Sequence, residues 1–388
     1  MNIRLLAIVS VLFHTYVGAR LLPGLAGSVW AVGGLTALLV TSALVMPLGL
    51  GLGMRSSHGL RPLRTVLLTW AGLLFMGLFS SLLVLTLLRD ASLLVLWAVG
   101  LAWPAVAAPD WAATSAQAVP LLALAVTVWG FVNARRTAAV VRVDVPVAGL
   151  ATALHGFTLA QISDIHVGPT IRRAYLQRIV QRVNALGADV VAVTGDLVDG
   201  SVPELAQHVG ALAGLQSRHG TFFVTGNHEY YSGAHAWVDE LRRIGLTVLL
   251  NEHVVLHTHQ AGHPPTPLVL AGVTDFNADH FDPAHRSDPA AALHGAPAGA
   301  LRVLLAHQPR SAVAAASAGF DLQISGHTHG GQFWPWNLFV PLQQPFTAGL
   351  NRLHNLWVYT SRGTGYWGPP KRFGAPSEIT LLRLVTAD

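Results

Sequence analysis

The first third of this chain leaves little freedom of fold. Residues 28–53, 66–88 and 112–132 are uninterrupted apolar runs, each long enough for a helix to cross a hydrocarbon core, which takes about 20 residues. In lipid a helix satisfies every backbone N–H and C=O within its own segment, so these runs predict membrane-spanning helices. The alternative, a buried bundle in a soluble protein, sits badly with runs of this length. A shorter run, 3–17, carries His14 and has Arg4 near its start. It has the form of a secretory signal, but the spans that follow it favour a retained first helix. The run 91–108 lies between Asp90 and Asp110 and contains Pro104, and is expected to lie in the interface or re-enter rather than span.

Arginines in short loops mark the cytoplasmic side. Arg55, Arg61 and Arg64 make the loop after the second span basic, and Arg135 and Arg136 follow the last one. Both loops are inside only if an even number of spans separates them. This predicts four spans with both termini in the cytoplasm. Beyond Arg4 and Tyr16 near the ends of the first run, the spans offer only His14 as an ionisable side chain, with a scattering of Ser and Thr, whereas a transporter core ordinarily carries several ionisable residues; the helices therefore read as an anchor.

Composition narrows the chemistry of the remainder. The chain has no cysteine, so any metal must be held by nitrogen and oxygen. Lys+Arg number 24 against 19 Asp+Glu, with Lys371 the only lysine and no extended arginine run, which argues against nucleic-acid binding. Before Ala151 the only acidic residues are Asp90, Asp110 and Asp144. The sequence thus divides into a transmembrane region over 1–136, a linker and first strand over 137–156, and a polar domain over 157–388.

Within that domain strands and helices alternate. Strands are expected at 157–162, 189–193, 221–224, 247–250, 254–257, 268–271, 302–305, 322–324, 356–359 and 379–384, with 140–147 as an edge strand. Helices are expected at 171–186, 203–215 and 234–244. The pattern is that of an α/β domain whose β-rich second part forms another sheet packed on the first.

Five short blocks follow strand ends in this domain: Asp164-x-His166, Gly195-Asp196, Gly226-Asn227-His228-Glu229, His307 and Gly326-His327-Thr328-His329. In open α/β folds the crevice beyond the carboxyl ends of the strands binds ligands, so the placement gathers distant blocks into one site. Two Asp, one Asn and four His, with one His to spare, suffice to hold two divalent ions side by side. Phosphoester hydrolysis favours such a pair because the attacking and leaving oxygens are both charge-stabilised.

These blocks, complete and in this order, resemble the calcineurin-like metallophosphoesterase superfamily over roughly residues 155–386. The subgroup they look like is the membrane-associated bacterial phosphodiesterases, which carry N-terminal helices ahead of the catalytic domain. The resemblance implies two stacked mixed β-sheets flanked by helices. It also implies Asp164, His166 and His329 as ligands of a first metal, Asn227, His307 and His327 as ligands of a second, Asp196 bridging both, and His228 beside the leaving group as the catalytic histidine. The mixed shell suits Mn, Fe or Zn, and Mg less well.

Other residues carry weaker expectations. Asp199 either orients a ligand or substrate, or stabilises a turn. The backbone amides of Gly330, Gly331 and Gln332 are expected to face a phosphate oxygen. Arg362 and Arg372 either pair with a phosphate or serve ordinary surface roles. The aromatic stretch Phe333, Trp334, Trp336, Leu338 and Phe339 either packs between the sheets or dips into the membrane interface. His253, His257, His259, His263, His280, His285 and His294 are expected at the surface.

Together these readings predict a membrane-anchored, dinuclear metal-dependent phosphodiesterase acting at the cytoplasmic face, on a lipid-linked substrate such as UDP-2,3-diacylglucosamine. One departure bears on the substrate: soluble hydrolases of that nucleotide lipid carry Arg where this chain has His228. The alternative is a catalytically inactive membrane scaffold or sensor that retains the fold.

Overall fold

The computed structural model describes residues 3–53, 62–107, 110–258 and 265–387. Arg55, Arg61, His259 and His263, singled out above, lie outside the described residues. The chain divides into two units. The first takes in the described parts of Met1–Arg55 and Arg61–Val132 with the short segment Gly368–Lys371; the second holds Asn133–Trp367 and most of Arg372–Asp388.

The first unit is helical: α1 (Ile3–Leu21), α2 (Val29–Gly53), α3 (Leu63–Gly100), the single turn α4 (Pro104–Ala107) and α5 (Trp111–Arg135). Four of these, all but α4, are long and apolar enough to cross a membrane. Small residues let two of them approach closely: a Cβ on Gly49 of α2 would lie 2.7 Å from Gly72 Cα of α3, the kind of contact that packs helices in lipid. His14 is satisfied inside the bundle, with Nδ1 2.7 Å from Ser10 O and Nε2 2.8 Å from Ser42 Oγ.

The expected break near residue 91 is absent. α3 runs for 38 residues, about 57 Å at 1.5 Å per residue, which is nearly twice the hydrocarbon thickness. Two causes are visible. Asp90 is neutralised where it stands, accepting from Arg20 Nε at 2.8 Å, Tyr16 OH at 2.7 Å and Arg89 NH1 at 3.0 Å. Beyond it, no glycine or proline interrupts the chain until Gly100 and Pro104.

The second unit is built on two six-stranded sheets. The first contains β1 (Ala139–Val147), β2 (Thr158–Ile162), β3 (Val190–Thr194), β4 (Thr221–Val224), β5 (Thr247–Val248) and β12 (Glu378–Thr386), in the order β1-β12-β2-β3-β4-β5. The second contains β6 (Glu252–Thr258), β7 (Thr266–Gly272), β8 (Leu301–Leu305), β9 (Leu322–Ser325), β10 (Gly349–Leu353) and β11 (Leu356–Thr360), in the order β10-β11-β9-β8-β7-β6. Both sheets are mixed. β2, β3, β4 and β5 run parallel, as do β7, β8, β9 and β11, while β12 meets β2 and β6 meets β7 antiparallel. β1 is an edge strand, and its full nine-residue pairing with β12 builds the segment after residue 137 into the sheet.

One apolar layer joins the inner faces: Leu159, Val190, Ala192, Phe222 and Val224 from the first sheet meet Leu268, Leu270, Val303, Leu305 and Ile324 from the second. The outer face of the first sheet is covered by α6 (Arg173–Asn184), α7 (Val202–Val209) and α9 (Ala234–Arg243), through side chains such as Leu176, Ile179, Leu205 and Trp237. β3 reads Val-Val-Ala-Val-Thr and is buried throughout, as a central parallel strand covered on both sides must be. α10 (Pro289–Ala292) and α11 (Ala312–Ala318) cover the second sheet. The short helix α8 (Asn227–Ser232) begins directly after β4. The helix expected over 203–215 stops at Val209 and continues as a 3-10 turn through Gly214; Gly210 and Gly214 weaken an α-helix there.

Candidate metal centre

Every block of the sequence pattern leaves the carboxyl end of a parallel strand. Asp164 and His166 follow β2, Asp196 follows β3, Asn227 and His228 follow β4, His307 follows β8, and His327 and His329 follow β9. Among the described residues, eight that are not glycine have positive φ, and five of them are Asp164 (54°), His166 (57°), Asp196 (51°), His327 (69°) and His329 (51°). Left-handed backbone costs such residues on the order of 1–3 kcal/mol each and gathers at functional sites. Close approach explains two neighbouring glycines. A Cβ on Gly195 would lie 2.7 Å from His307 Nδ1, and one on Gly326 would overlap Ser163 Oγ and Asp164 Oδ2.

The blocks converge into three groups of ligating atoms, each within 4.8 Å of one another: Asp164, His166 and His329; Asp196, His307 and His327; and His166, Asp196 and His228. The third group joins the first two. Asp196 Oδ2 is the hub, 3.1 Å from His307 Nε2, 3.9 Å from His166 Nε2 and 4.0 Å from His228 Nε2. In the first group His166 Nε2 and His329 Nε2 face each other at 3.1 Å, and His329 Nε2 is 3.5 Å from Asp164 Oδ1. In the second, His327 Nδ1 and His307 Nε2 are 3.2 Å apart. Two nitrogens each 2.0–2.1 Å from a tetrahedral ion are about 3.3 Å apart, so both pairs stand at the spacing of ligands on one ion.

Asn227 supplies an independent sign. Its Oδ1 is buried and, among the described residues, has no hydrogen-bond partner. A buried amide oxygen left without a donor costs free energy, and a cation removes that cost. The donor set of carboxylate, amide oxygen and imidazole therefore fits divalent metal.

The surroundings aim these side chains. His307 Nδ1 donates to Thr194 O at 2.8 Å, which leaves Nε2 free to act as a ligand. Asp199 Oδ1 accepts from His166 Nδ1 at 3.1 Å and from His228 Nδ1 at 2.6 Å, so one carboxylate orients both rings. Carboxylates behind metal-facing histidines do this in many metal sites. Asp164 accepts from His327 N through both oxygens, at 2.9 and 3.1 Å.

Glu229 ties three backbone amides: its Oε2 accepts from Gly226 N at 2.6 Å and Asp196 N at 3.0 Å, and its Oε1 from Leu197 N at 2.8 Å. Sequence reasoning gave Glu229 no role. Its place two residues after Asn227 in the Gly-Asn-His-Glu block was the only signal.

The charges follow from these contacts. Burial works against the Asp196 carboxylate, but His307 and then His228 outweigh it and hold its pKa well below the ordinary range. Burial likewise opposes charge on His228, yet Asp196 and Asp199 raise its pKa to about 9. Burial and the neighbouring His307 lower His327 to about 3, and burial with Arg372 keeps His329 neutral.

The weaker expectations divide. Asp199 sits within the cluster. The amides of Gly330 and Gly331 are used inside their own loop, donating to Thr328 Oγ1 at 3.1 Å and Thr328 O at 2.8 Å, and Gln332 N donates to His329 O; the tight turn after His329 consumes the donors expected to face a phosphate. Arg372 is fully buried, and its guanidinium donates to Gly365 O, His329 O and Arg362 O and meets His329 Nδ1. Arg362 pairs with Glu378 at 2.7 Å.

Phe333 is buried, but Trp334, Trp336, Leu338 and Phe339 are exposed, so this stretch does not pack between the sheets. Two rings that sequence reasoning missed flank His228: Tyr231 at 5.2 Å and Trp367 at 5.7 Å between centroids. Neither stands in a recognisable motif.

Residues 157–331 match the family model described as calcineurin-like phosphoesterase. Among curated proteins, the chain is 39% identical over 276 residues to a Danio rerio protein named transmembrane protein with metallophosphoesterase domain, covering 69% of this chain and 63% of that one. It is 40% identical over 279 residues to the Bos taurus protein of the same name, with the same coverage. The chain thus spans about 63% of the length of these two relatives. An Aquifex aeolicus protein named uncharacterized metallophosphoesterase is 31% identical over 224 residues, which is 57% of this chain and 82% of that protein.

Proposed function

The chain belongs to the calcineurin-like metallophosphoesterase family, and on that premise we propose that it is a membrane-anchored, two-metal phosphodiesterase. The observation that carries the reading is the sharing of Asp196 between two sets of ligating side chains. Asp164, His166 and His329 would hold one ion, and Asn227, His307 and His327 the other, with Asp196 between them. When bound, the pair supplies positive charge to the attacking and leaving oxygens of phosphoryl transfer. Manganese, iron or zinc suits this shell.

The chain's own residues perform the rest. Without metal, Asp196 and Asp199 facing His228 raise its pKa to about 9. Its Nδ1–H is fixed by Asp199, so Nε2 carries the proton that a departing oxygen needs. Asp199 holds His166 in the same way. Tyr231 and Trp367 give His228 apolar walls, which fits a substrate with an apolar or ring portion beside its phosphate. The anchor keeps the catalytic unit near a bilayer, and this favours a lipid-linked phosphoester or pyrophosphate such as UDP-2,3-diacylglucosamine. The placement of Arg55, Arg61, Arg64, Arg135 and Arg136 favours the cytoplasmic face of an inner membrane. A single cysteine introduced into the catalytic unit of this cysteine-free chain should resist an impermeant thiol reagent in intact cells; labelling would reverse the orientation.

The reaction is tested by supplying the detergent-solubilised full chain with Mn²⁺ and bis(p-nitrophenyl) phosphate. Asp196→Ala should abolish hydrolysis, and His228→Ala should slow it by about 10²–10⁴-fold. Equal rates in the wild type and both variants would refute the enzyme.

A further inference from the structure

A second cluster of ligating side chains stands apart from the residues used above. Asp282 caps the 3-10 turn Pro283–His285, its Oδ1 accepting from Ala284 N at 2.9 Å. That bond fixes the carboxylate and leaves Oδ2 for other partners. His235, in the first turn of α9, brings Nε2 to 3.0 Å from this oxygen, and His285 brings its own Nε2 to 3.9 Å. The two imidazole centroids are 4.8 Å apart. One ligating atom from each of the three residues lies within 4.8 Å of the other two.

His285 was expected to be an ordinary surface residue, and its setting is otherwise. Its side chain is 14% exposed. Its Nδ1 is 2.8 Å from Tyr230 OH, and its carbonyl accepts from Thr274 Oγ1 at 2.7 Å. A histidine held through Nδ1 presents Nε2 in a fixed direction, as metal-ligating histidines do. An ion pair explains His235 with Asp282 but leaves His285 unexplained. Its 3.9 Å separation from Oδ2 is too long for a hydrogen bond and exceeds the separation of two ligands on one tetrahedral ion, about 3.3 Å, by about 0.6 Å, a gap that a small rotation of either side chain closes. The His235 side chain is 71% exposed, so the remaining coordination positions open to water.

We propose that His235, Asp282 and His285 form a separate site for one borderline transition-metal ion, of the Zn²⁺ class. Two imidazoles and a carboxylate suit such ions better than Mg²⁺ or Ca²⁺. The ion clamps the turn at Pro283–His285 to α9. Through Tyr230 it also braces α8, the helix that carries Asn227 and His228.

The test counts Zn²⁺ bound per chain after chelator treatment and dialysis of the whole 388-residue chain, in wild type, His235→Ala and Asp282→Asn. His235 is exposed and Asn retains the cap at 282, so both variants should keep the fold, which a thermal melt verifies. Each variant should bind one ion fewer than the wild type, and the Zn²⁺-induced rise in melting temperature should shrink. The same difference of one ion should persist between Asp196→Ala and the double variant Asp196→Ala/His235→Ala, so failure of the central pair and failure of this site are read separately. Equal Zn²⁺ counts with and without His235, in either background, would overturn the site.

Discussion

The guanidinium of Arg372 lies 3.1 Å from His329 Nδ1, and it also donates to the carbonyl of the same residue at 2.9 Å. A fully buried arginine thus anchors the backbone of one candidate ligand and lies against its ring, whose Nε2 faces His166. Burial lowers the Arg372 pKa only to about 10, so it stays charged at neutral pH. Lysine keeps the charge but lacks the planar fork. Arg372→Lys should therefore weaken metal binding about 10–100-fold, the usual effect of losing a residue that orients a ligand, and excess metal should restore much of the activity. If Arg372 met the substrate phosphate instead, KM would rise and added metal would not rescue it.

Glu229 should matter as much as a ligand while touching no metal. Its two oxygens receive the amides of Gly226, Asp196 and Leu197, which fixes the strand ends carrying Asp196 and Asn227 relative to each other. Glutamine turns an NH₂ group toward at least one of these N–H donors, and an unsatisfied buried donor costs about 1–3 kcal/mol. Glu229→Gln should lower stability by about that amount, read from chemical denaturation, and should cut activity as well. A variant of unchanged stability would show that the three amides do not depend on this carboxylate.

The charge on His228 makes a prediction for the metal-free protein. Its folded pKa, about 9, lies above the unfolded value of 6.5 because Asp196 and Asp199 outweigh burial. A raised histidine pKa stabilises the fold fully below pH 6.5, and that contribution is lost as pH rises through 9. Asp199 itself is held below the usual carboxylate range, burial being outweighed by His166 and His228, so its own contribution fades only in strong acid. Melting temperature with chelator present should fall between pH 6.5 and 9 in the wild type and less steeply in Asp199→Asn. Identical slopes would remove the coupling between His228 and Asp199.

The blocks that meet in the candidate site were legible in the sequence because each couples a strand end to a short, chemically specific string. β3 announced itself by its valines, and Asp196 stands two residues beyond its end. What stayed hidden depends on tertiary contact. β10, Gly349–Leu353, carries no strong alternation and exists as the partner of β11. α11 is an alanine-rich stretch, Ala-Val-Ala-Ala-Ala-Ser-Ala, and only packing against the second sheet gives it a buried face. The continuity of α3 through Asp90 required Arg20 and Tyr16, some seventy residues away, to neutralise the charge. Arg372 looked free to meet a phosphate because sequence does not reveal which carbonyls a guanidinium will reach.

The central claim is that Asp196 stands between two ions held by six other side chains. Anomalous diffraction from crystals of the full chain grown with Mn²⁺ examines it directly. The account predicts two peaks about 3.5–4 Å apart, one against Asp164, His166 and His329 and the other against Asn227, His307 and His327, with Asp196 touching both. A single peak, or peaks that leave Asp196 without an ion on either side, would contradict it.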